Sequence, residues 1–294
     1  MQKKSSLRAS LLLLLTAMIW GVAFVAQDVA ADSIGPFTFN GARMLLAALA
    51  LLPVIALTDR RSQIPLKTMS APQRKTLLTG GALCGVLLAL ASVLQQAGIT
   101  LGVGAGKAGF ITALYIVLVP VCGLFFGKRP GKAVWLAVAF SVAGLYLLSM
   151  QGSLSIDPGD GMLMLSALGF TAQILAVDHF SSRTDCVKLS FLQFLTGAAG
   201  CILLALIFEN PSWESLRQGL IPVLYAGLLS GAVGYTLQII GQRDADPTVA
   251  SLLMSLESVF AVVAGWLILG DALSLRELLG CGLMMGGILI AQLF

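Results

Sequence analysis

Residues Ala250–Asp271 read ASLLMSLESVFAVVAGWLILGD, an apolar run of membrane-spanning length with a single ionisable residue, Glu257, near its middle. About 20 residues rising 1.5 Å each cross the roughly 30 Å hydrocarbon core of a bilayer, so the run predicts a transmembrane helix. A carboxylate at bilayer depth costs about 2.5–3.5 kcal/mol on insertion scales, so such acids face a cavity, a partner or a transport path. Whether this run stands alone decides the fold.

It does not stand alone. Of the 294 residues 57% are hydrophobic and 11% charged, with 32 glycines, against roughly 25% charged in ordinary soluble domains. Ten spans are expected, near 10–31, 36–57, 76–97, 105–126, 132–151, 160–180, 186–208, 218–241, 247–269 and 274–293. The fold class is an all-α polytopic membrane protein, and no gap between spans is long enough for a soluble domain. Lys3, Lys4 and Arg8 before LLLLLTAM resemble the start of a signal peptide, but the run from Ser10 to Ala31 is long enough to span and is read as an uncleaved first helix.

Punctuation supports these starts. Pro36, Pro130 and Pro247 fall at or just before first helical turns, Ser274 and Glu277 have capping-box spacing, and Pro120 and Pro222 are expected to kink spans four and eight. Short interfacial helices are expected over 64–75 and 211–218. Of the 18 Lys and Arg, fourteen fall in cytoplasmic segments if the N-terminus is inside, three (Lys107, Arg217, Arg276) fall outside, and Arg43 lies within span two. The positive-inside rule therefore puts both termini in the cytoplasm. The net charge of +4 is this loop bias and implies no nucleic-acid partner. The five cysteines are scattered without metal-ligand spacing, so no metal or cofactor is expected. GVGAGKAG (Gly102–Gly109) lacks the GxxxxGK spacing of a phosphate loop.

The two halves of the chain match. ITALYIVLVPVCGLFFG (Ile111–Gly127) aligns with LMSLESVFAVVAGWLILG (Leu253–Gly270) with one inserted residue, which pairs Tyr115 with Glu257, Gly127 with Gly270 and, downstream, Gly144 with Gly287. Weaker matches upstream pair Trp20 with Phe170, Asp28 with Asp178, Arg43 with Gln193, and Leu94–Gly98 with Leu237–Gly241. Each half, 10–151 and 160–293, holds five spans. An odd number makes the second copy enter the membrane upside down, and inverted repeats suit alternating access around a midplane site.

WGVAFV in span one, FNGARMLLAAL in span two, TALYIVLVP in span four, SLESVFAVVAGWLILGD in span nine and LLGCGLMMGGILI in span ten together resemble the drug/metabolite transporter superfamily, in its ten-helix form built from two EamA-type repeats. The resemblance covers essentially the whole chain. It implies an inner-membrane permease with a central cavity between the repeats, commonly an exporter of amino acids or other small metabolites. The family's Leu-Tyr-Pro-Val and Leu-Glu-Pro-Val are here Leu-Tyr-Ile-Val and Leu-Glu-Ser-Val, which removes the proline-based reason for a bend at Ile116 and Ser258.

Glu257 lies ten residues beyond Pro247, about 15 Å deep, with Tyr115 and Trp20 at a similar level. It is read as carrying a proton or attracting a substrate ammonium, against a structural carboxyl bonded to a neighbouring hydroxyl. Arg43 lies about 10 Å deep, able to reach inward or to snorkel outward. Gln95 and Gln238, like Gln173 and Gln193, can bond polar substrate groups or tie helices together. The candidate substrate-binding or coupling set is Glu257, Tyr115, Trp20, Arg43, Gln95 and Gln238, with Phe24, Phe110 and Tyr235 read as packing. Asp178 and His179 are read as solvated helix-end charges. Gly81/Gly85, Gly123/Gly127, Gly227/Gly231 and Gly282/Gly286 are read as internal packing pairs. The expectation is a secondary transporter of small metabolites such as amino acids, exporting by alternating access with protons coupled through Glu257. A passive facilitator or lipid-handling protein of the same fold is the alternative, and an intramembrane lipid-modifying enzyme a weaker one, because clustered acids or a nucleophile with its base are missing. The partners implied are a small-molecule substrate and the lipid bilayer.

Overall fold

Among the described residues every regular element is a helix. The computed structural model describes residues 6–59, 66–128, 130–149, 157–264 and 274–293. The expected ends of spans five and nine at 151 and 269, together with Arg60, Arg61, Arg129, Gly270 and Asp271, lie outside them.

Spans one to three are α1 (Leu7–Ala31), α2 (Pro36–Thr58) and α3 (Ala71–Thr100). The fourth is α4 (Ala105–Ala113) followed by α5 (Tyr115–Phe125), and the fifth is α6 (Lys132–Ser149). Spans six and seven are α7 (Pro158–Ser181) and α8 (Cys186–Phe208), after which α9 (Trp213–Gln218) forms the expected short exposed helix. The eighth is α10 (Leu220–Leu224), a π-helical run Tyr225–Tyr235 and α11 (Thr236–Arg243). The ninth is α12 (Pro247–Met254) with α13 (Glu257–Ala264), and the tenth is α14 (Leu275–Leu293). Nine of these spans are long and apolar enough to cross a membrane, and Lys132–Leu148 is a shorter apolar helix. Large apolar side chains such as Leu49, Leu203, Phe125 and Leu289 point outward around the bundle, which suits lipid and not water.

The helix starts are built as the sequence indicates. Pro36 and Pro247 occupy first turns, Asp246 accepts from the Thr248 N–H at 2.9 Å, and Ser274 and Glu277 bond reciprocally at 2.8 and 3.2 Å. Two readings need correction. Of the helix expected over 64–75, the described part is a 3₁₀ turn, Leu66–Thr68, and the capped first turn of α3, because Ser70 and Gln73 form a capping box there. Gly123/Gly127 is a helix terminus: Gly127 has φ +76°, the Lys128 N–H bonds the Gly123 carbonyl at 2.9 Å, and no neighbour crowds Gly127.

Spans four and nine both break, and at matching positions. Leu114 separates α4 from α5 directly before Tyr115, and Ser255-Leu256 separates α12 from α13 directly before Glu257. The breaks occur without the usual prolines. In span four, Pro120, inside α5, lacks the N–H that would bond the Ile116 carbonyl two residues after the break. In span nine, the Ser251 and Ser255 hydroxyls donate to the Thr248 and Leu252 carbonyls at 2.8 Å each, offering the chain an alternative to the α ladder. Pro222, expected to kink span eight, lies in the first turn of α10, where a missing N–H breaks no helical bond, and a π-helical run begins three residues later.

Packing exchanges the two halves. α3 lies against α7 and α8, as the eighth span lies against α1 and α2, while α2 packs on α8 and α6 on α14. Gly144 approaches the Gly280 carbonyl, 2.6 Å from an added Cβ, and Gly287 approaches the Ala137 carbonyl at 2.8 Å. One sequence offset carries Gly144 to Gly287 and Ala137 to Gly280, so the two contacts are one contact seen twice. Gly81, Gly85, Gly227 and Gly231 make similarly close approaches, whereas Gly282 and Gly286 meet nothing within 4 Å, correcting their reading as an internal pair.

Ion pairs latch span four to α7 at both ends, Lys107 to Asp160 at 2.7 Å and Lys128 to Asp178 at 2.5 Å. The Asp160 side chain is 1% exposed and that of Asp178 25%. Removing the cation therefore strands a buried charge in the first case and a partly solvated one in the second. Lys107→Met is expected to lower the thermal midpoint in detergent more than Lys128→Met, and Lys107→Met with Asp160→Asn is expected to recover part of the loss.

Candidate functional site

The two breaks meet. Each ends an α-helix near mid-membrane and starts another, and the residues that open the second halves, Tyr115 and Glu257, touch: the tyrosine hydroxyl donates to Glu257 Oε1 at 3.0 Å. Each break thus sets one of the two bonded side chains, Tyr115 at the start of α5 and Glu257 at the start of α13. Behind it, α1 comes as close as a backbone allows. A Cβ on Gly21 would lie 2.7 Å from the Glu257 carbonyl oxygen and 2.8 Å from the Ala261 nitrogen.

Trp20, next to Gly21, is held from the other side. Its indole N–H donates to the Ser230 carbonyl at 3.3 Å, a contact to the π-helical run, and its ring stacks obliquely on Tyr235 with centroids 4.5 Å apart. Gly234 makes room for it, since an added Cβ there would lie 2.8 Å from Trp20 Nε1. Arg43 is positioned by its own helix: its Nε donates to Asn40 Oδ1 at 2.8 Å, and Asn40 in turn donates to the Pro36 and Ser92 carbonyls. The guanidinium lies 5.8 Å from the Phe39 ring centre, and among the described residues it forms no ion pair.

These groups face one cavity. Trp20, Arg43, Gln95, Tyr115 and Glu257, all singled out from sequence, line it, and Gln95 Nε2 also donates to the Thr112 hydroxyl at 3.3 Å. Arg43 and Glu257 are each 5% exposed. The space is about 40 Å³, enough for a few waters and too small for a metabolite. Most of the lining, including Phe24, Gln27, Arg43, Gln95 and Thr112, lies toward the membrane face where α1 ends and α2 begins.

A sequence profile of the EamA-like transporter family matches residues 7–150 and again 157–292. The chain belongs to the EamA-like transporter family. Among similar proteins, an uncharacterized transporter of Archaeoglobus fulgidus is 29% identical over 98% of this chain and 86% of its own length. The uncharacterized transporter YwfM of Bacillus subtilis is 26% identical, covering 96% and 92%. The uncharacterized inner membrane transporter YedA of Escherichia coli is 23% identical, covering 94% and 88%. One solved structure superposes with a TM-score of 0.79 at 18% identity over 97% of this chain and 96% of its own, which shows the shared fold. This EamA-like chain is a multi-pass membrane protein, and family membership assigns it transport.

Within the EamA-like fold one expected site residue stands apart. Gln238 is buried and does not line the cavity; its Nε2 donates to Gln173 Oε1 at 3.3 Å while Gln173 Nε2 donates to Gln193 Oε1 at 3.0 Å. Conversely Tyr235 and Phe24, read as packing, line the cavity, as do Gln27, Thr112, Phe170 and Ser230, which were not singled out. A signal for Phe170 was available, since it is the repeat partner of Trp20. His179 sits at the surface with its Nε2 2.9 Å from Arg183 Nη1.

Proposed function

We propose that this protein is a secondary transporter, working as an exporter, for small zwitterionic metabolites of the amino-acid class. It alternates access between two inverted five-span repeats, 10–151 and 160–293, with both termini in the cytoplasm. The exchange of contacts between halves and the matched breaks in spans four and nine support that symmetry.

One observation carries the substrate class: a buried cation, Arg43, and a buried acid, Glu257, face the same cavity without pairing with each other. Two opposite charges held apart in low dielectric match a ligand that carries both, with carboxylate toward Arg43 and ammonium toward Glu257. Trp20, Phe24, Tyr115 and Tyr235 supply apolar and cation–π surface around it. Glu257 also carries the coupling proton in this scheme, exchanging it for the ammonium.

Thermal unfolding with a ligand panel tests the assignment. A ligand at about 100 times its Kd adds about 2.7 kcal/mol of stability, so zwitterionic amino acids are expected to raise the midpoint. Their deaminated acids and decarboxylated amines, each meeting only one of the two charges, are expected to leave it in place. Equal stabilisation by all three classes contradicts the pairing of Arg43 and Glu257 with one zwitterion.

A further inference from the structure

The three amides behind the cavity are the repeat partners of residues that line it. Arg43 is the seventh residue after the first of α2 (Pro36), and Gln193 is the seventh after the first of α8 (Cys186). Gln95 lies five residues before the end of α3, and Gln238 five before the end of α11. Ala23 lies eight before the end of α1, and Gln173 eight before the end of α7. The three first-half positions line the cavity, whereas their second-half partners are fully buried and bonded in a row, Gln238 to Gln173 to Gln193.

The row is also incomplete. Gln193 Nε2 and Gln238 Oε1 have no hydrogen-bond partner among the described residues. A buried polar atom left unpaired costs about 1–3 kcal/mol, a cost that a bound polar group would relieve. Here one end offers a free donor and the other a free acceptor, at about 10 Å depth from the face opposite to the one that Arg43 approaches.

The geometry points to a second polar subsite, built from Gln173, Gln193 and Gln238, that faces the cytoplasm and is sealed here by its own hydrogen bonds. It takes an uncharged group that both donates and accepts, a hydroxyl or an amide of the substrate. No ionisable side chain belongs to the row, so a carboxylate held by Arg43 finds no counter-charge within it. The two faces of the pathway therefore differ in chemistry although the scaffold repeats. This inference rests on the alternating-access reading, because only exchange of the two halves opens the second set.

Single cysteines at Gln193, Gln238 and Ser230, in a background with the five native cysteines replaced by alanine, are labelled in membrane vesicles of both orientations. The probe is a charged, membrane-impermeant maleimide. Ser230 lines the present cavity and reports on alternating access itself. Ser230→Cys is expected to react from both sides, and Gln193→Cys and Gln238→Cys from the cytoplasmic side alone. A conformer populated at about 0.1–10% makes that labelling about 10- to 1,000-fold slower than at an exposed site. Gln173→Cys gives an independent position should either variant fail to fold. If Ser230→Cys reacts from both sides while the glutamine positions react from neither, or from outside, the subsite is overturned and alternating access stands. If Ser230→Cys reacts from one side only, alternating access fails and the subsite with it.

Discussion

Glu257→Gln is expected to lower flux of zwitterionic substrate into proteoliposomes by about 10–100-fold, the equivalent of one charge-assisted hydrogen bond of about 1.5–3 kcal/mol. It is also expected to abolish the response of that flux to an imposed pH gradient. Glutamine keeps the volume of the side chain and an oxygen that accepts from the Tyr115 hydroxyl, now 3.0 Å from Glu257 Oε1, so the helix breaks should persist. A buried neutral amide also needs no counter-ion, and thermal stability is expected to hold or rise. Loss of flux with retained stability separates the carboxylate's chemistry from its packing. Unchanged rate and unchanged pH response make Glu257 a structural acid and remove it from the site.

Gly21 is the other position where a small change should have a large effect. An added Cβ would lie 2.7 Å from the Glu257 carbonyl oxygen, 2.7 Å from Phe260 Cβ and 2.8 Å from the Ala261 nitrogen. Two of these three are backbone atoms, which do not rotate out of the way. Gly21→Ala is expected to cost about 1–3 kcal/mol through overpacking, and Gly21→Val more. The displaced element is the start of α13, so the cost falls on the carboxylate's position as well as on stability. Thermal unfolding and flux should therefore fall together for Gly21→Ala. For Gly282→Ala, where nothing lies within 4 Å of the added carbon, both should stay near wild type. Equal behaviour of the two variants contradicts the close approach of α1 to the break.

The spans were legible in the sequence because length and apolarity alone dictate them. Helix starts followed from Pro36, Pro247 and the Ser274–Glu277 box, whose chemistry is local. The breaks in spans four and nine were obscured because Ile116 and Ser258 occupy the usual proline positions. What the structure shows near them instead is Pro120 inside α5 and the back-bonding serines Ser251, one turn before its break, and Ser255, at the break itself. Depth along a helix placed Trp20, Tyr115 and Glu257 in one layer, but depth does not fix rotation about the axis. Nor does it tell which of two repeat partners meets the cavity: Gln95 lines it, while Gln238 sits in the amide row. The glycine pairs divide for a related reason: GxxxG spacing gives a flat stripe, and only the neighbours decide whether it meets a helix, as at Gly227 and Gly231, or meets nothing, as at Gly282 and Gly286.

Counterflow tests the central claim most directly. Proteoliposomes preloaded with an unlabelled zwitterionic amino acid are placed in its labelled form, without a pH gradient, and internal label is followed over time. Alternating access around a site that holds both charges predicts a transient overshoot with the zwitterion inside, and none with its deaminated acid or its decarboxylated amine. Uptake that ignores the preload, or an overshoot with all three, contradicts a single alternating site built on Arg43 and Glu257.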